Sequence, residues 1–124
     1  MILHITQKSD WEKARNKNEY TASSLKSEGF IHCSTIEQAA DTANLFFKGQ
    51  TGLVLLCIDE NKLSSQLKYE APSGGGRHDP TVGNLFPHIY GPVNISAVIE
   101  VVDFPPNEDG YFVLPGKLES QSDK

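Results

Sequence analysis

Three of the four histidines lie in short apolar segments typical of β-strands, and a hydroxyl side chain or a glycine turn follows each one. Imidazole exchanges protons near neutral pH and can bind small ligands or metals. A lone histidine on a strand is more often simply packed or exposed, and His78 in a glycine-rich segment is interpreted that way. If the other three converge, they form a site for acid–base chemistry or ligand binding. Their segments are His4-Ile5-Thr6, His32-Cys33-Ser34-Thr35 and His88-Ile89-Tyr90-Gly91.

Zinc is one alternative for these histidines, because imidazole nitrogen together with a carboxylate such as Glu70 suits a tetrahedral zinc site. The sequence contains no His-x-His, HExxH or CxxC spacing, so we expect no bound metal. A cysteine nucleophile is disfavoured, since Cys33 would need His32 as its base and neighbours on a strand point to opposite faces. No glycine-rich phosphate-binding motif is present.

The composition limits the classes of partner. The 124 residues carry a net charge of −5, which disfavours generic binding to duplex nucleic acid but leaves a specific nucleotide pocket possible. No apolar run is long enough to span a membrane, and the first residues do not resemble a secretory signal. Only two cysteines occur, both in apolar runs, which favours reduced buried thiols and a cytoplasmic location.

The first half of the chain alternates predicted strands with two capped helices. A strand over 2–6 places His4 and Thr6 on one face, with Leu3 and Ile5 on the other. Ser9 and Glu12 form a capping-box pattern that predicts a helix over 10–17. Short strands are expected at 19–21 and 30–33, with a helix or turn over 23–28 between them. After the second strand, Ser34 or Thr35 can cap a helix with Glu37 or Gln38, and this helix should end at Gly49.

The second half reads mainly as strands. The continuous apolar run over 53–59 indicates a strand buried on both faces, at the centre of the sheet. Further strands are predicted at 67–70, 87–92 and 95–104, with a final hairpin turning at Asp109-Gly110 into residues 111–114. Residues 71–86 read as a mobile loop around Gly74–Gly76. We expect a single domain over 1–116 and a disordered polar tail over 117–124.

Several segments together resemble a known family. The pattern consists of ILHIT at 2–6, Trp11 with Ala14, EGFIHCST at 28–35, AN-x-FF at 43–47, LLCID at 55–59, YE at 69–70 and FPHIYGPVN at 86–94. On these segments the chain is identified as a member of the DUF952 family, whose function is unknown. The resemblance covers nearly the whole chain and implies no particular reaction.

A more distant resemblance concerns the order of elements: a strand with His-x-Thr, a helix, a GF-x-HCS segment, a helix and a strand. This order is similar to the ADP-ribosyltransferase fold, especially its tRNA 2′-phosphotransferase branch, in which two such strands line a cleft for NAD. The resemblance implies that His4 and Thr6 contact a ribose or the nicotinamide amide. It also implies that His32 and Ser34 hold the other side of the cleft, and we add Thr35 and Tyr90 to the cofactor-binding set.

The sequence therefore predicts an α+β domain with a bent or split, mainly antiparallel sheet and flanking helices, similar to the ADP-ribosyltransferases. The leading functional hypothesis is an NAD-using ADP-ribosyl-type transferase, with His32, Glu70 and His88 as catalytic residues. Glu70 and His88 are the candidates for stabilising charge in the transition state, so they should face the same cleft as His4. The alternatives are a non-catalytic module that binds a nucleotide or another small ligand and, third, a histidine metal-dependent hydrolase.

Overall fold

The computed structural model describes residues 1–71 and 85–118, which form strands, short helices and two 3-10 turns. The predicted loop over 71–86 and His78 therefore lie almost wholly outside the described residues. The strands are β1 (Ile2–Gln7), β2 (Glu19–Tyr20), β3 (Ile31–His32), β4 (Leu53–Ile58), β5 (Gln66–Glu70), β6 (Phe86–Tyr90), β7 (Val93–Asn94) and β8 (Val98–Asp103). The helices are α1 (Lys8–Ala14), α2 (Ser23–Glu28) and α3 (Ala39–Phe46), and the 3-10 turns are Glu60–Lys62 and Ile95–Ala97. None of these helices is long and apolar enough to cross a membrane.

The central strand is β4, and all six of its residues are buried. It pairs antiparallel with β1 on one side and with β8 on the other. A strand between two neighbours, covered on both faces, must be apolar at every position, which explains the continuous run of the sequence. The prediction that this run forms the centre of a sheet is confirmed.

A second antiparallel sheet has the order β3-β6-β5 and carries the other two histidines of interest. His32 lies directly opposite His88, and His88 lies directly opposite Lys68 on its other side. The short strands β2 and β7 form a separate antiparallel pair that positions Tyr20 opposite Val93. An α+β fold with mainly antiparallel sheets is therefore confirmed.

A backbone bridge joins the two larger sheets where Leu3 of β1 lies opposite Ser34, just after β3. Two backbone hydrogen bonds make this bridge: Leu3 N–H donates to the Ser34 carbonyl at 2.8 Å, and Ser34 N–H donates to the Leu3 carbonyl at 2.7 Å. Beyond this bridge β1 and β3 are not paired as strands, so the combined sheet is split along the line between them.

Among the described residues, the core consists of two apolar clusters. One contains Trp11, Tyr20, Ile31, Leu56 and Ile89, and the other contains Leu3, Leu55, Phe104, Phe112 and Leu118. Alternation along β4 sends Leu55 and Leu56 to different clusters, so this strand separates them. Leu118, within the stretch 117–124 that the sequence predicts to be a polar tail, is fully buried in the second cluster. Residues 119–124 lie outside the described part of the chain, so the predicted tail stays a prediction.

Both predicted helix ends differ from the structure, although the bonds of one of the two capping boxes form. α3 has Gln38 as its N-cap residue and ends at Phe46 rather than at Gly49. α1 begins at Lys8 and ends at Ala14, and its N-cap residue is Gln7 rather than Ser9, which already lies inside the first turn. The predicted capping box at Ser9 and Glu12 is therefore wrong. At the other site, Thr35 N–H donates to Gln38 Oε1 at 2.9 Å, and Gln38 N–H donates to Thr35 Oγ1 at 3.3 Å. These reciprocal bonds close the turn that leads into α3.

Two predicted strands near the C-terminus also differ. The first residues of the predicted strand over 95–104 form the 3-10 turn, so β8 is limited to Val98–Asp103. Residues 111–115 are not a strand, although Asn107 accepts from Tyr111 N–H to close the expected turn. Phe112 is held instead by Asn44 of α3, whose side chain accepts from Phe112 N–H at 2.7 Å and donates to its carbonyl at 2.8 Å.

Candidate functional site

The first polar group is built around His4 in the middle of β1. Its Nδ1 lies 2.6 Å from the His32 carbonyl oxygen, and its Nε2 lies 2.8 Å from the Tyr20 hydroxyl oxygen. The Tyr20 oxygen in turn lies 2.9 Å from Thr6 Oγ1. His4 and Thr6 point to the same side of β1, as their spacing predicts, and both are buried. Tyr20 joins them because β2 pairs with β7 and so places its ring beside β1.

Burial sets the protonation of this group. It lowers the pKa of His4 from 6.5 to about 4; the backbone hydrogen bond to His32 opposes this shift, and the nearby His32 side chain adds slightly to it. Burial also raises the pKa of Tyr20 to about 12, against the effect of the Thr6 hydrogen bond. At neutral pH His4 is therefore an uncharged imidazole and Tyr20 an uncharged phenol.

The bond from His4 to His32 lies where the sheet splits. In an antiparallel ladder that continued from the Leu3–Ser34 pair, the next hydrogen-bonded pair would be Ile5 and His32. The His4 side chain instead bonds the His32 carbonyl. A buried carbonyl without a partner is unfavourable by about 1–3 kcal/mol, so this imidazole stabilises the open geometry of the split.

The second polar group lies on the β3-β6-β5 sheet, on the face that carries His88. The His88 ring is 3% exposed, and its Nδ1 lies 2.8 Å from Glu70 Oε1. The Tyr90 hydroxyl donates to the same Glu70 oxygen at 2.5 Å. Tyr90 first and His88 second lower the pKa of the Glu70 carboxyl, and the carboxylate in turn raises the pKa of Tyr90. Glu70 is thus an oriented, half-exposed carboxylate that is ionised at neutral pH.

Aromatic rings pack around this group. Phe30 stacks on His88 with ring centroids 4.2 Å apart, and the His32 ring meets His88 edge to face at 5.6 Å. His32 is half-exposed and its Nε2 lies 3.0 Å from Glu28 Oε2. Lys68 Nζ lies 4.9 Å from the centre of the Tyr90 ring. The sequence indicated His32, His88 and Glu70 but not Phe30; its alternation with His32 along the segment was the available signal.

A cavity of about 540 Å³ adjoins the His4 group. Four of the predicted site residues line it: His4, Thr6, His32 and Ser34. Thr35, Glu70, His88 and Tyr90 are not among its lining residues, and Thr35 instead caps the turn before α3. Glu70 and His88 were expected to face the same cleft as His4, but they do not line this cavity. His32 connects the two groups, because its carbonyl bonds His4 while its ring contacts His88.

The cavity has further polar lining that the sequence alone did not indicate. Tyr20 and Thr42 add hydroxyl groups, and Thr42 Oγ1 accepts from Ser34 Oγ at 3.3 Å. Lys13 and Lys17, which the sequence suggests form a solvated helix face, border the cavity together with Asp10 and Glu19. These charged residues lie beside the cavity because of the direction in which α1 continues from β1, and no local sequence motif predicts that direction.

Neither a metal centre nor a reactive thiol emerges from the described residues. Within 1–71 and 85–118 no three histidine, cysteine or carboxylate side chains come close enough to hold a metal ion. Cys33 and Cys57 are free and buried, and burial raises the pKa of both thiols, to about 11 at Cys57. A metal-dependent hydrolase and a cysteine nucleophile thus have no geometric support in this part of the chain.

Comparison with known proteins identifies the family. Residues 5–101 match the family model described as "Protein of unknown function (DUF952)". The chain belongs to the DUF952 family. The segments with His4, His32 and His88 define its resemblance to that family, and the latter two lie within the matched range. No curated protein matches the chain.

Solved structures of one protein, CC0527 from Caulobacter crescentus, are similar to this chain. A crystal structure is 34% identical with a TM-score of 0.79, and a crystal structure of a double mutant is 33% identical with a TM-score of 0.78. Each covers 94% of this chain and 96% of that one. A solution NMR structure is 34% identical, has a TM-score of 0.75, and covers 96% of this chain and 97% of that one. These descriptions name no activity, so the ADP-ribosyltransferase relationship stays a hypothesis for the DUF952 chain.

Proposed function

We propose that the chain binds a nucleotide of the NAD or ADP-ribose class in the cavity beside His4. The supporting observation is that the His-x-Thr segment of β1 and the His-x-Ser segment that begins at the end of β3, distant in sequence, border the same cavity. Its volume of about 540 Å³ lies within the range of roughly 300–1,000 Å³ that is usual for small-molecule sites.

The chemistry of the lining suits different parts of such a ligand. Thr6, Ser34 and Thr42 line the cavity, and their hydroxyl groups can bond sugar hydroxyls or amides. Lys13 and Lys17 at the border can pair with phosphate oxygens, although the chain as a whole is acidic. Two lysines can bind a phosphate even though the chain carries a net negative charge. Salt screens the repulsion from distant carboxylates, whereas the attraction at contact distance is screened much less.

The catalytic form of this proposal is an NAD-using ADP-ribosyl-type transferase. In that reaction the bond between the nicotinamide nitrogen and ribose C1′ breaks, and its electron pair leaves on nicotinamide. A nucleophilic atom of the acceptor then bonds to C1′ and gives up its proton. The developing positive charge on the ribose requires a fixed carboxylate. In this proposal Glu70 is that carboxylate. It does not line the cavity but bonds His88, whose ring contacts the cavity residue His32, so the reacting ribose must extend from the cavity past His32 to reach it.

Calorimetry with NAD and with ADP-ribose at up to millimolar concentration tests the binding proposal. Both ligands should bind, and the double substitution of Lys13→Ala and Lys17→Ala should weaken binding about tenfold. Both lysines are exposed, so each ion pair with phosphate contributes up to about 1 kcal/mol, and about 1.4 kcal/mol corresponds to tenfold. Lys26→Ala is the matched control, since Lys26 is exposed on α2 and does not line the cavity. Absence of binding by the folded wild-type chain would show that the proposal is wrong.

A non-catalytic binding module is the second candidate, and one observation favours it: neither Glu70 nor His88 lines the cavity. Glu70→Gln separates the two forms, because it keeps the shape and removes the charge. A transferase with this substitution retains ligand affinity and loses at least about a hundredfold in the rate of nicotinamide release. If wild-type protein binds NAD but releases no nicotinamide with water or an acceptor panel, the chain is a binding module.

A further inference from the structure

The hydrogen-bond chain beside the cavity has a fixed direction, and that direction restricts what the cavity can bind. We propose that Thr6 Oγ1 can only accept a hydrogen bond from the occupant, so the cavity selects a ligand that presents an O–H or N–H donor at that point. This inference rests on the proposed binding function of the cavity and names the chemistry of its ligand. It follows from counting protons along Thr6, Tyr20, His4 and the His32 carbonyl.

The donor and acceptor roles can be assigned from the His32 carbonyl, which can only accept a hydrogen bond. His4 Nδ1 lies 2.6 Å from that oxygen, so this nitrogen carries the proton and donates it. A bare Nδ1 would place two lone pairs against each other in a buried site. His4 is also uncharged at neutral pH, because burial lowers its pKa to about 4, so its other nitrogen has no proton. Nε2 is therefore an acceptor.

The remaining two steps follow. Tyr20 is the hydroxyl that lies 2.8 Å from Nε2, so its single proton points to His4. The Tyr20 and Thr6 hydroxyl oxygens lie 2.9 Å apart, a distance that allows a hydrogen bond in either direction. Because the Tyr20 proton is used at Nε2, we assign the donor in this bond to Thr6, and this uses the single proton of the Thr6 hydroxyl. The Thr6 hydrogen bond also lowers the pKa of Tyr20, which is the effect of a donor to the phenol oxygen. Thr6 Oγ1 has lone pairs left, and Thr6 borders the cavity. Whatever meets this oxygen must bring its own proton.

The other hydroxyl pair at the cavity lacks this constraint. Ser34 and Thr42 lie 3.3 Å apart, and within the described residues neither side chain bonds an acceptor-only group. Either hydroxyl can therefore donate or accept as the ligand requires. Of these three hydroxyl groups, only that of Thr6 therefore has a fixed hydrogen-bonding role. A sugar hydroxyl or an amide N–H satisfies it, whereas a phosphate, carboxylate, ether or ketone oxygen placed there leaves two acceptors facing each other.

The direction of the chain is tested first on the ligand-free protein. Nitrogen-15 NMR of the histidine side chains at pH 7 should show His4 as the neutral tautomer with its proton on Nδ1, bonded to the His32 carbonyl. A proton on Nε2, or on both nitrogens, would overturn the inference whether or not any nucleotide binds. This measurement separates a failure of the inference from a failure of the proposed function.

The selectivity is tested with ADP-ribose and its mono-O-methyl ethers, one for each ribose hydroxyl, since an ether keeps the acceptor and loses the donor. At one position methylation should weaken binding to the wild-type chain about tenfold or more. Tyr20→Phe releases the Thr6 proton, so the preference for the free hydroxyl at that position should shrink to within about threefold. The matched control is Tyr111→Phe, because Tyr111 is exposed and lies outside the cavity lining. An undiminished preference in Tyr20→Phe would contradict the inference.

Discussion

At the scale of single residues, the two polar groups respond to pH in different ways. His4 is a buried base that loses its charge on folding, and Glu70 is a half-exposed acid that keeps its charge. The surroundings thus favour the neutral form of one group and the ionised form of the other. Separated protonation preferences of this kind are common at functional sites, although structural networks produce them as well.

The pKa of His4 predicts a pH dependence of stability. The unfolded chain takes up a proton at His4 near its ordinary pKa of 6.5, whereas the folded chain does so only near 4. The free energy of unfolding is therefore highest above pH 6.5, where His4 is neutral in both states. It decreases as the pH falls from 6.5 towards 4, by up to about 3 kcal/mol, because only the unfolded chain then binds the proton. Urea unfolding at several pH values between 4 and 6.5 measures this. The free energy of unfolding should depend less steeply on pH in His4→Gln than in the wild type.

An NMR titration of His4 in the intact chain checks the same point without a substitution. The midpoint should lie near pH 4. A midpoint close to 6.5 would mean that the ring is not desolvated as its 7% exposure indicates.

The pKa of Glu70 predicts a second effect at this scale. Because the Tyr90 hydroxyl is the largest cause of the lowered pKa, Tyr90→Phe should move the carboxyl pKa upwards towards its ordinary value. Carbon-13 NMR of the side-chain carboxyl measures the shift. Tyr69→Phe is the control, because Tyr69 donates to Glu60 instead and should leave the Glu70 titration unchanged.

At the scale of elements, local patterns predicted what local interactions determine. The buried run of β4, the alternation of His4 and Thr6 and the capping pattern at Thr35 all rest on neighbours in sequence, and each is found in the structure. The Ser9 pattern failed because β1 continues directly into α1 and places Ser9 inside the helix. A local motif is overruled when a tertiary contact fixes the start of the element.

Thr35 gives a prediction for this scale, because the sequence offered it as a cofactor contact and the structure uses it as a cap. Thr35→Ala should lower the free energy of unfolding by about 1 kcal/mol while leaving nucleotide affinity unchanged. Urea unfolding and calorimetry measure the two effects. Thr51→Ala serves as the control for stability, since Thr51 is exposed and lies outside the helices. A variant with full stability and reduced affinity would restore the cofactor role.

At the scale of the whole molecule, the long-range pairing of strands determines which site residues come together, and local sequence patterns could not predict this. His32 faces His88 only because β3 and β6 pair in one register across more than fifty residues, and Glu70 reaches His88 from β5 for the same reason. The separation of Glu70 and His88 from the His4 cavity is likewise a product of the split sheet. No spacing in the sequence carries this information.

The two clusters divided by β4 predict how sensitive the whole fold is to truncation of a core residue. Leu56→Ala removes a fully buried side chain and should lower the free energy of unfolding by about 2–5 kcal/mol. Leu85→Ala makes the same chemical change at a side chain that is 56% exposed and should change stability by less than about 0.5 kcal/mol. Equal effects of the two substitutions in urea unfolding would contradict the described packing.

The sequence positions of paired strands affect how the chain can fold during synthesis. β4 pairs with β1, which is synthesised before it, and with β8, which follows at residues 98–103. β3 pairs with β6, which follows at residues 86–90. A nascent chain that ends before residue 86 thus has exposed edges on β3 and β4. Open strand edges invite pairing with other chains. Ribosome-bound intermediates of this length should therefore depend on chaperones, and the two sheets should be completed only after residues 86–103 have emerged.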